Sequence, residues 1–489
     1  MKQACNLVMA AAPALVSSMA LAQADCPAEP ISVTARYQAE TRFVVDVSAP
    51  GSRGGVDIQW RPGGGVEDGT ASFISDVAFL DASGRFVPAD YAGYGTWLPA
   101  GGEAQDWQGY RYTLSATHEM AQWDIGKEEV AYRFDDGFYF VGGAVLALSS
   151  AWSACEFSIG FDMPEDWQAV TPWPAGTGGR FAVAGLNDVW RNVFVVGPDL
   201  QPQTVRIGEL EATLLVETPL ADARDELEAT LTRALTRFAE IFGGVPMERY
   251  LVVAGEDPGN DGGAFAQSFG QRMPAPFREG EAISWARLLV HEALHAWLGI
   301  TISPDPYAES QWFTEGGADY LTTKTLYRAG LIDEHDVIFI TEGQIRRFLL
   351  GRVMSGQISL AEAGENKQQN RLLVYGGGAL FHLMLDARMT QLHGAGAYEA
   401  ALRALYQAED RNYSQARFLA ELDAASDGAA SEILAVLNGP FDPFALIDRI
   451  EETGLSVTAF GPDEVLVRFA AQGCAGAREA ACMPDFLRP

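Results

Sequence analysis

The stretch Arg287-Leu-Leu-Val-His291-Glu292-Ala-Leu-His295-Ala-Trp297-Leu-Gly299 sets two imidazoles four residues apart, with a carboxylate directly after the first. On a helix that spacing corresponds to about 40° of rotation and roughly 6 Å of rise, so His291 and His295 project from one face. Two imidazoles so placed can share one metal ion, and Glu292 can reach a water beside it. The bland reading is a pair of core histidines, but the rest of that helix is apolar and offers them no partner. A catalytic zinc takes three protein ligands and keeps one position open. The segment Trp312-Phe-Thr-Glu315-Gly-Gly-Ala-Asp319-Tyr320 begins shortly afterwards, and Glu315 lies twenty positions beyond His295. If 308–329 is a helix packed antiparallel to the first, Glu315 faces the same ion. Asp319, one turn later, is then either an acceptor for the free nitrogen of His291, fixing its tautomer, or a solvated helix charge.

These residues need helices to hold them, and the second half of the chain has the required periodicity. Apolar residues recur at helical spacing over 222–242, 281–298, 308–329, 336–350, 371–392 and 397–406. A strand-like stretch at 205–216 and the buried-strand candidate Tyr250-Leu-Val-Val-Ala lead into a Gly-rich segment, Gly262-Gly263-Ala264-Phe265-Ala-Gln-Ser-Phe. From 31 to about 190 the runs are short and alternating, as in Arg42-Phe-Val-Val-Asp-Val, with Gly and Pro clusters between them. The expected organisation is α+β and multidomain: a leader at 1–24, an antiparallel β domain at 25–195, a mainly helical domain carrying the candidate metal centre at 196–438, and a C-terminal segment at 439–489 with a short disulfide loop.

The two motifs together, His291-Glu-Ala-Leu-His-Ala-Trp-Leu-Gly299 and Trp312-Phe-Thr-Glu-Gly-Gly-Ala-Asp-Tyr320, resemble the gluzincin metallopeptidases, specifically the M61 glycyl aminopeptidases and the M1 aminopeptidases. The segment Tyr132-Arg-Phe-Asp-Asp-Gly-Phe-Tyr-Phe is similar to M61. The resemblance implies a thermolysin-like zincin domain and one zinc ion held by His291, His295 and Glu315. It also implies Glu292 as general base and a peptide or protein substrate. In these families a Tyr-x-Lys-Gly segment supplies a tyrosine that polarises the scissile carbonyl. Here Tyr375-Gly-Gly-Gly378 resembles it, with Gly377 where lysine is usual. The families also place a glutamate before the zinc helix to hold the substrate's amino group. The corresponding segment here, Gly262, Gly263, Ala264 and Phe265, has no acid, which leaves Asp257 or Asp261 to substitute and leaves aminopeptidase and endopeptidase both open. As an edge strand the segment can pair with an extended peptide. The rival reading is an exported binding or scaffold protein with a decayed gluzincin site.

Three further readings bound the answer. Lys2 followed by an apolar run and Ala20-Leu-Ala-Gln-Ala24 reads as a cleaved export signal, so a periplasmic or secreted protein without stable membrane insertion is expected. Removing Cys5 with the leader leaves Cys26, Cys155, Cys474 and Cys482. Three connectivities are open, and Cys26–Cys155 with Cys474–Cys482 is the pairing adopted. A net charge of −31 argues against binding nucleic acid or an anionic membrane surface, since both attractions need clustered Lys and Arg. His382 is left as either a cleft residue or a helix-packing one.

Overall fold

Alternating strands in the first half of the chain build two large sheets, together with a three-stranded and a two-stranded one. The computed structural model describes residues 26–102, 106–116, 122–123, 126–278, 282–469 and 483–488. The expected leader and the Cys474–Cys482 loop fall outside the described residues. In a seven-stranded sheet, Ile31–Ala39 lies between Arg42–Ser52 and Phe157–Asp162. Ile31, Val33 and Ala35 are buried while their neighbours are partly exposed, the period of two expected when one face meets a core. A four-stranded sheet made of 131–134, 137–141, 193–198 and 167–170 lies nearby. One pair departs from the antiparallel expectation, because Ile31–Ala39 runs parallel to Phe157–Asp162. Their shared end is fastened by a Cys26–Cys155 disulfide that spans 129 residues of sequence.

A five-stranded sheet separates this region from the helices. It comprises β1 (Gln203–Ile207), β2 (Leu210–Val216), β3 (Arg249–Glu256), β4 (Asp261–Ala264) and β5 (Ser268–Met273), in the order β1-β2-β3-β5-β4. The stretch expected as one strand at 205–216 is a hairpin, because Gly208 adopts φ +58° and turns the chain. Leu215, Leu251 and Val253 pack into the N-terminal core, whereas Leu214, Val216, Val252 and Ala254 pack against the helices. Burial on both faces explains why Tyr250–Ala254 reads as a continuous apolar run. Strand β4 is left at the sheet edge.

The helical half contains α1 (Arg224–Phe242), α2 (Ala282–Leu294), α3 (Gln311–Arg328), α4 (Glu334–Ser355), α5 (Leu360–Glu365), α6 (Lys367–His393) and α7 (Ala397–Gln407). Helix α2 is shorter than the 281–298 expected. After Leu294 the backbone tightens, with His295 N donating to Glu292 O at 3.2 Å and Ala296 N to Ala293 O at 3.3 Å. Helix α6 instead starts earlier than expected, at Lys367, across a kink at Asn370.

Glycines set the distance between α3 and α6. A Cβ on Gly316 would fall into the Gly378 backbone, and one on Gly378 would fall into the Trp312 carbonyl. The two helices therefore meet backbone to backbone. Gly376 abuts α4, where an added Cβ would lie 2.7 Å from Phe348 N and 2.9 Å from Gln344 O. Gly377 faces Leu360 of α5 and Phe348 of α4. The position where lysine is usual in the families that the motif resembles is thus a helix-packing position here, with no room for a long side chain.

Gly378→Ala is expected to destabilise the fold by about 1–3 kcal/mol or more through overpacking. Gly343→Ala, on α4 with nothing within 4 Å of its added methyl, should raise stability by up to about 1 kcal/mol. Thermal or urea unfolding of the two variants checks this. Equal behaviour would mean that the helices do not depend on the glycine contact.

Candidate metal centre and cleft

His291 leaves the last full turn of α2, His295 the tightened turn after it, and Glu315 the first turn of α3. Glu315 Oε2 lies 3.4 Å from His291 Nε2 and 3.5 Å from His295 Nε2. The three ligand atoms all fall within 4.8 Å of one another, and they form the one such cluster among the described residues. These separations are long for hydrogen bonds. They match the edge of a tetrahedron around an ion with ligands at about 2.0–2.1 Å, which comes to roughly 3.4 Å. The outer nitrogens are already engaged. His291 Nδ1 meets Asp319 Oδ1 at 3.2 Å and His295 Nδ1 meets the Leu298 carbonyl at 3.1 Å. Both contacts put the proton on Nδ1 and direct the Nε2 lone pairs to the centre. The donor set therefore fits a metal ion.

Asp319 is not a solvated helix charge. It is 5% exposed, also accepts from Gln344 Nε2 at 2.7 Å and Arg347 Nη1 at 3.1 Å, and forms an ion pair with Arg287 Nη2 at 3.1 Å. Burial would raise its pKa, but the charge of Arg287 and the His291 bond outweigh burial and hold it well below the usual carboxylate range. Burial likewise disfavours charge on His291, yet its bonds to Asp319 and Glu315 push its pKa up to about 10. The carboxylates that cause this shift, Glu315 and Asp319, also favour a cation at the centre.

The remaining expected residues divide. Glu292 and Tyr375 lie on the wall shared by two adjoining cavities of about 620 and 290 Å³. The Tyr375 ring stacks on His291 at 6.2 Å between centroids. Burial, together with the negative charge of Glu315, raises its pKa well above that of an ordinary phenol, so it keeps its proton. Gly262, Gly263 and Ala264, on β4, line the smaller cavity. Phe265 does not join them. It is 7% exposed and its ring packs in the N-terminal core, where an apolar side chain at the end of the strand is shielded from water. Asp257 is drawn away by Lys127 at 2.7 Å, whereas Asp261 lines both cavities. His382 is fully buried away from the cleft, with Nδ1 on the Tyr398 hydroxyl at 2.5 Å and Nε2 on the Phe313 carbonyl at 2.9 Å.

Several site residues were not anticipated. Lys367 Nζ lies 2.5 Å from Glu315 Oε1, the oxygen that does not face the histidines. Lys367 and Arg371 lie 5.5 and 5.6 Å from the centroid of the Tyr375 ring. Their spacing of four residues up to Tyr375 was a readable signal once the helix began at Lys367 rather than 371. Glu129 had no such signal. It arrives from the N-terminal half, far away in sequence, and its Cγ lies 3.3 Å from where a Cβ on Gly263 would be.

Solved structures share this architecture. The aminopeptidase N family protein of Idiomarina loihiensis is 17% identical, with a TM-score of 0.70 over 88% of this chain and 79% of its own. The M1 zinc metallopeptidase of Deinococcus radiodurans is 15% identical, with a TM-score of 0.53 over 85% of this chain and 94% of its own. A variant of the latter, bound to a Tyr-Ser-Ala substrate, gives 16% and 0.51 over the same shares. No protein-family model and no curated protein matches the sequence. At these identities the likeness is one of fold: an N-terminal β-sheet domain followed by a helical domain, as in M1 aminopeptidases.

Asp319→Ala is expected to weaken zinc binding by about 10–100-fold by freeing the His291 tautomer. Competition with a chromophoric chelator measures it. Unchanged zinc affinity in a folded Asp319→Ala variant would remove Asp319 from the centre.

Proposed function

We propose that this chain is an exported zinc-dependent peptidase that cleaves peptides from a free amino terminus. The observation that carries the reading is the convergence of His291, His295 and Glu315 at 3.4 and 3.5 Å spacings, with Glu292 and Tyr375 on the adjoining wall. Bound zinc supplies a Lewis acid for the peptide carbonyl and lowers the pKa of water towards about 7. Glu292 takes the proton of the attacking water and later delivers it to the leaving nitrogen. Tyr375, held as a neutral phenol, donates a hydrogen bond to the tetrahedral oxyanion.

Substrate alignment follows from the edge strand. Among the described residues strand β4 pairs on one side only, with β5, and offers the other side to an extended peptide. Gly262 and Gly263 let the peptide approach closely, and an added Cβ on Gly262 would lie 3.2 Å from Glu292 Cγ. Glu129 stands against the same strand, and burial raises its pKa. A substrate ammonium there would restore the charged carboxylate. This acid, supplied by the N-terminal region, replaces the one missing from the Gly-rich segment and favours the aminopeptidase reading.

Within the fold, the M61 affinity rests on the sequence motifs, while the solved structures named above are M1 proteins. Export is supported by the Cys26–Cys155 disulfide, which requires an oxidising compartment. Among the described residues no helix is long and apolar enough to cross a membrane. The complete set of ligands, base and phenol supports an enzyme over a decayed scaffold.

Peptide turnover by the purified protein should vanish with chelator and return with zinc. Glu292→Gln should keep its zinc and lose about 10²–10⁴ in kcat; undiminished turnover in that variant would sink the mechanism. Free amino termini should be preferred over acetylated ones, and Glu129→Gln should raise KM for them by about tenfold. Equal cleavage of acetylated peptides would point to an endopeptidase instead.

A further inference from the structure

The two cavities of the cleft share Asp261, Glu292 and Arg371, and differ in that the larger one adds Arg287 and Arg347 around Asp319. Acidic side chains outnumber basic ones 65 to 34 in this chain, yet three arginines line the larger cavity. Arg287 and Arg347 share one carboxylate, that of Asp319, at 3.1 Å each. That pairing cancels one positive charge and leaves the other. Arg347 keeps 40% of its side chain exposed. Arg371 is exposed and forms no ion pair among the described residues, and it stands beside the Tyr375 ring. Of the acids on the same wall, Asp261 is exposed and Glu292 faces the reaction. The smaller cavity holds Glu129 and Glu315 with Arg191, shares Arg371 with the larger one, and has its Lys367 ammonium committed to Glu315.

We infer that the larger cavity binds a carboxylate of the substrate on the leaving-group side, through Arg371 and Arg347 with Arg287 behind them. The inference rests on the peptidase reading. With the amino terminus at Glu129 and the scissile carbonyl at the metal centre, the rest of the peptide passes along β4 from Gly263 towards Asp261, into the larger cavity. Its volume of about 620 Å³ lies within the roughly 300–1,000 Å³ of small-ligand sites, so it suits a short peptide segment. A guanidinium fork matches a carboxylate with two parallel hydrogen bonds, which gives arginine an advantage over lysine here. The carboxylate is either the C-terminus of a di- or tripeptide or the side chain of an Asp or Glu beyond the scissile bond.

Two substrate pairs separate these sources for the zinc-loaded protein: a tripeptide as free acid and as carboxamide, and a tripeptide amide with Glu or Gln in second position. At least one acidic member should be favoured by about tenfold in kcat/KM, chiefly through KM. The preference should shrink in about 0.5 M salt because the arginines are partly exposed. Arg371→Gln and Arg347→Gln should each bring the acid-to-neutral ratio towards one, and Arg371→Lys should retain part of it. Calorimetric binding of the same peptides to zinc-loaded Glu292→Gln gives a readout without turnover and should show the same order. Equal handling of acidic and neutral peptides that are cleaved, or a preference that survives both Gln variants, would overturn the carboxylate site and leave the peptidase standing. If no peptide is cleaved or bound, the peptidase reading falls, and this inference with it.

Discussion

The contact between Gly316 and Gly378 is the constraint on which the site depends. Side chains normally hold packed helices 8–10 Å apart, and the glycine at each position of this contact lets α3 and α6 approach until their backbones touch. Glu315 directly precedes one glycine, and Tyr375 lies less than one turn before the other. The same contact that seals the helical core therefore fixes the third ligand relative to the phenol. Glycine inside a helix costs up to about 1 kcal/mol in propensity, and five of them in these two helices are hard to explain by local preference. Their placement follows from what they touch: Trp312, Phe348, Leu360, Leu298 and His382 occupy the space that their side chains would need.

Around that contact the structure solves an electrostatic problem. Glu315 and Asp319 are buried carboxylates one turn apart, which would be costly without compensation. Each oxygen of Glu315 has a cationic or imidazole partner, and Asp319 has two guanidiniums, an amide and an imidazole. The arrangement fixes both histidine rings with Nε2 facing inward. A second buried network, in which Lys324 pairs with Asp386 and Glu399 while Tyr320 donates to Asp386, braces α3 against α6 and α7 further along.

The histidine spacing, the Glu315–Asp319 turn and the alternating strands were readable because each is a local pattern. Side-chain direction on one helix or strand follows from its own period. Where the reading missed, a nonlocal term had intervened. Helix α2 stops at Leu294 because the tightened turn and Gly299, at φ +120°, redirect the chain towards Ile302, whose carbonyl accepts from Gly299 N at 3.0 Å. Phe265 follows a cleft-lining strand but belongs to the other core. Gly377, which stands where lysine is usual in the families that the motif resembles, is a packing position whose meaning depends on α4 and α5.

By itself the sequence determined which residue types could form a metal centre and which elements would carry them, since periodicity and composition act over a few residues. Only the tertiary structure decided what lies opposite those elements: Glu129 from the N-terminal half at the strand edge, Lys367 on the free oxygen of Glu315, and the arginines around Asp319. Such pairings join positions separated by tens to more than a hundred residues. They arise from the packing of distant segments, which no local pattern encodes.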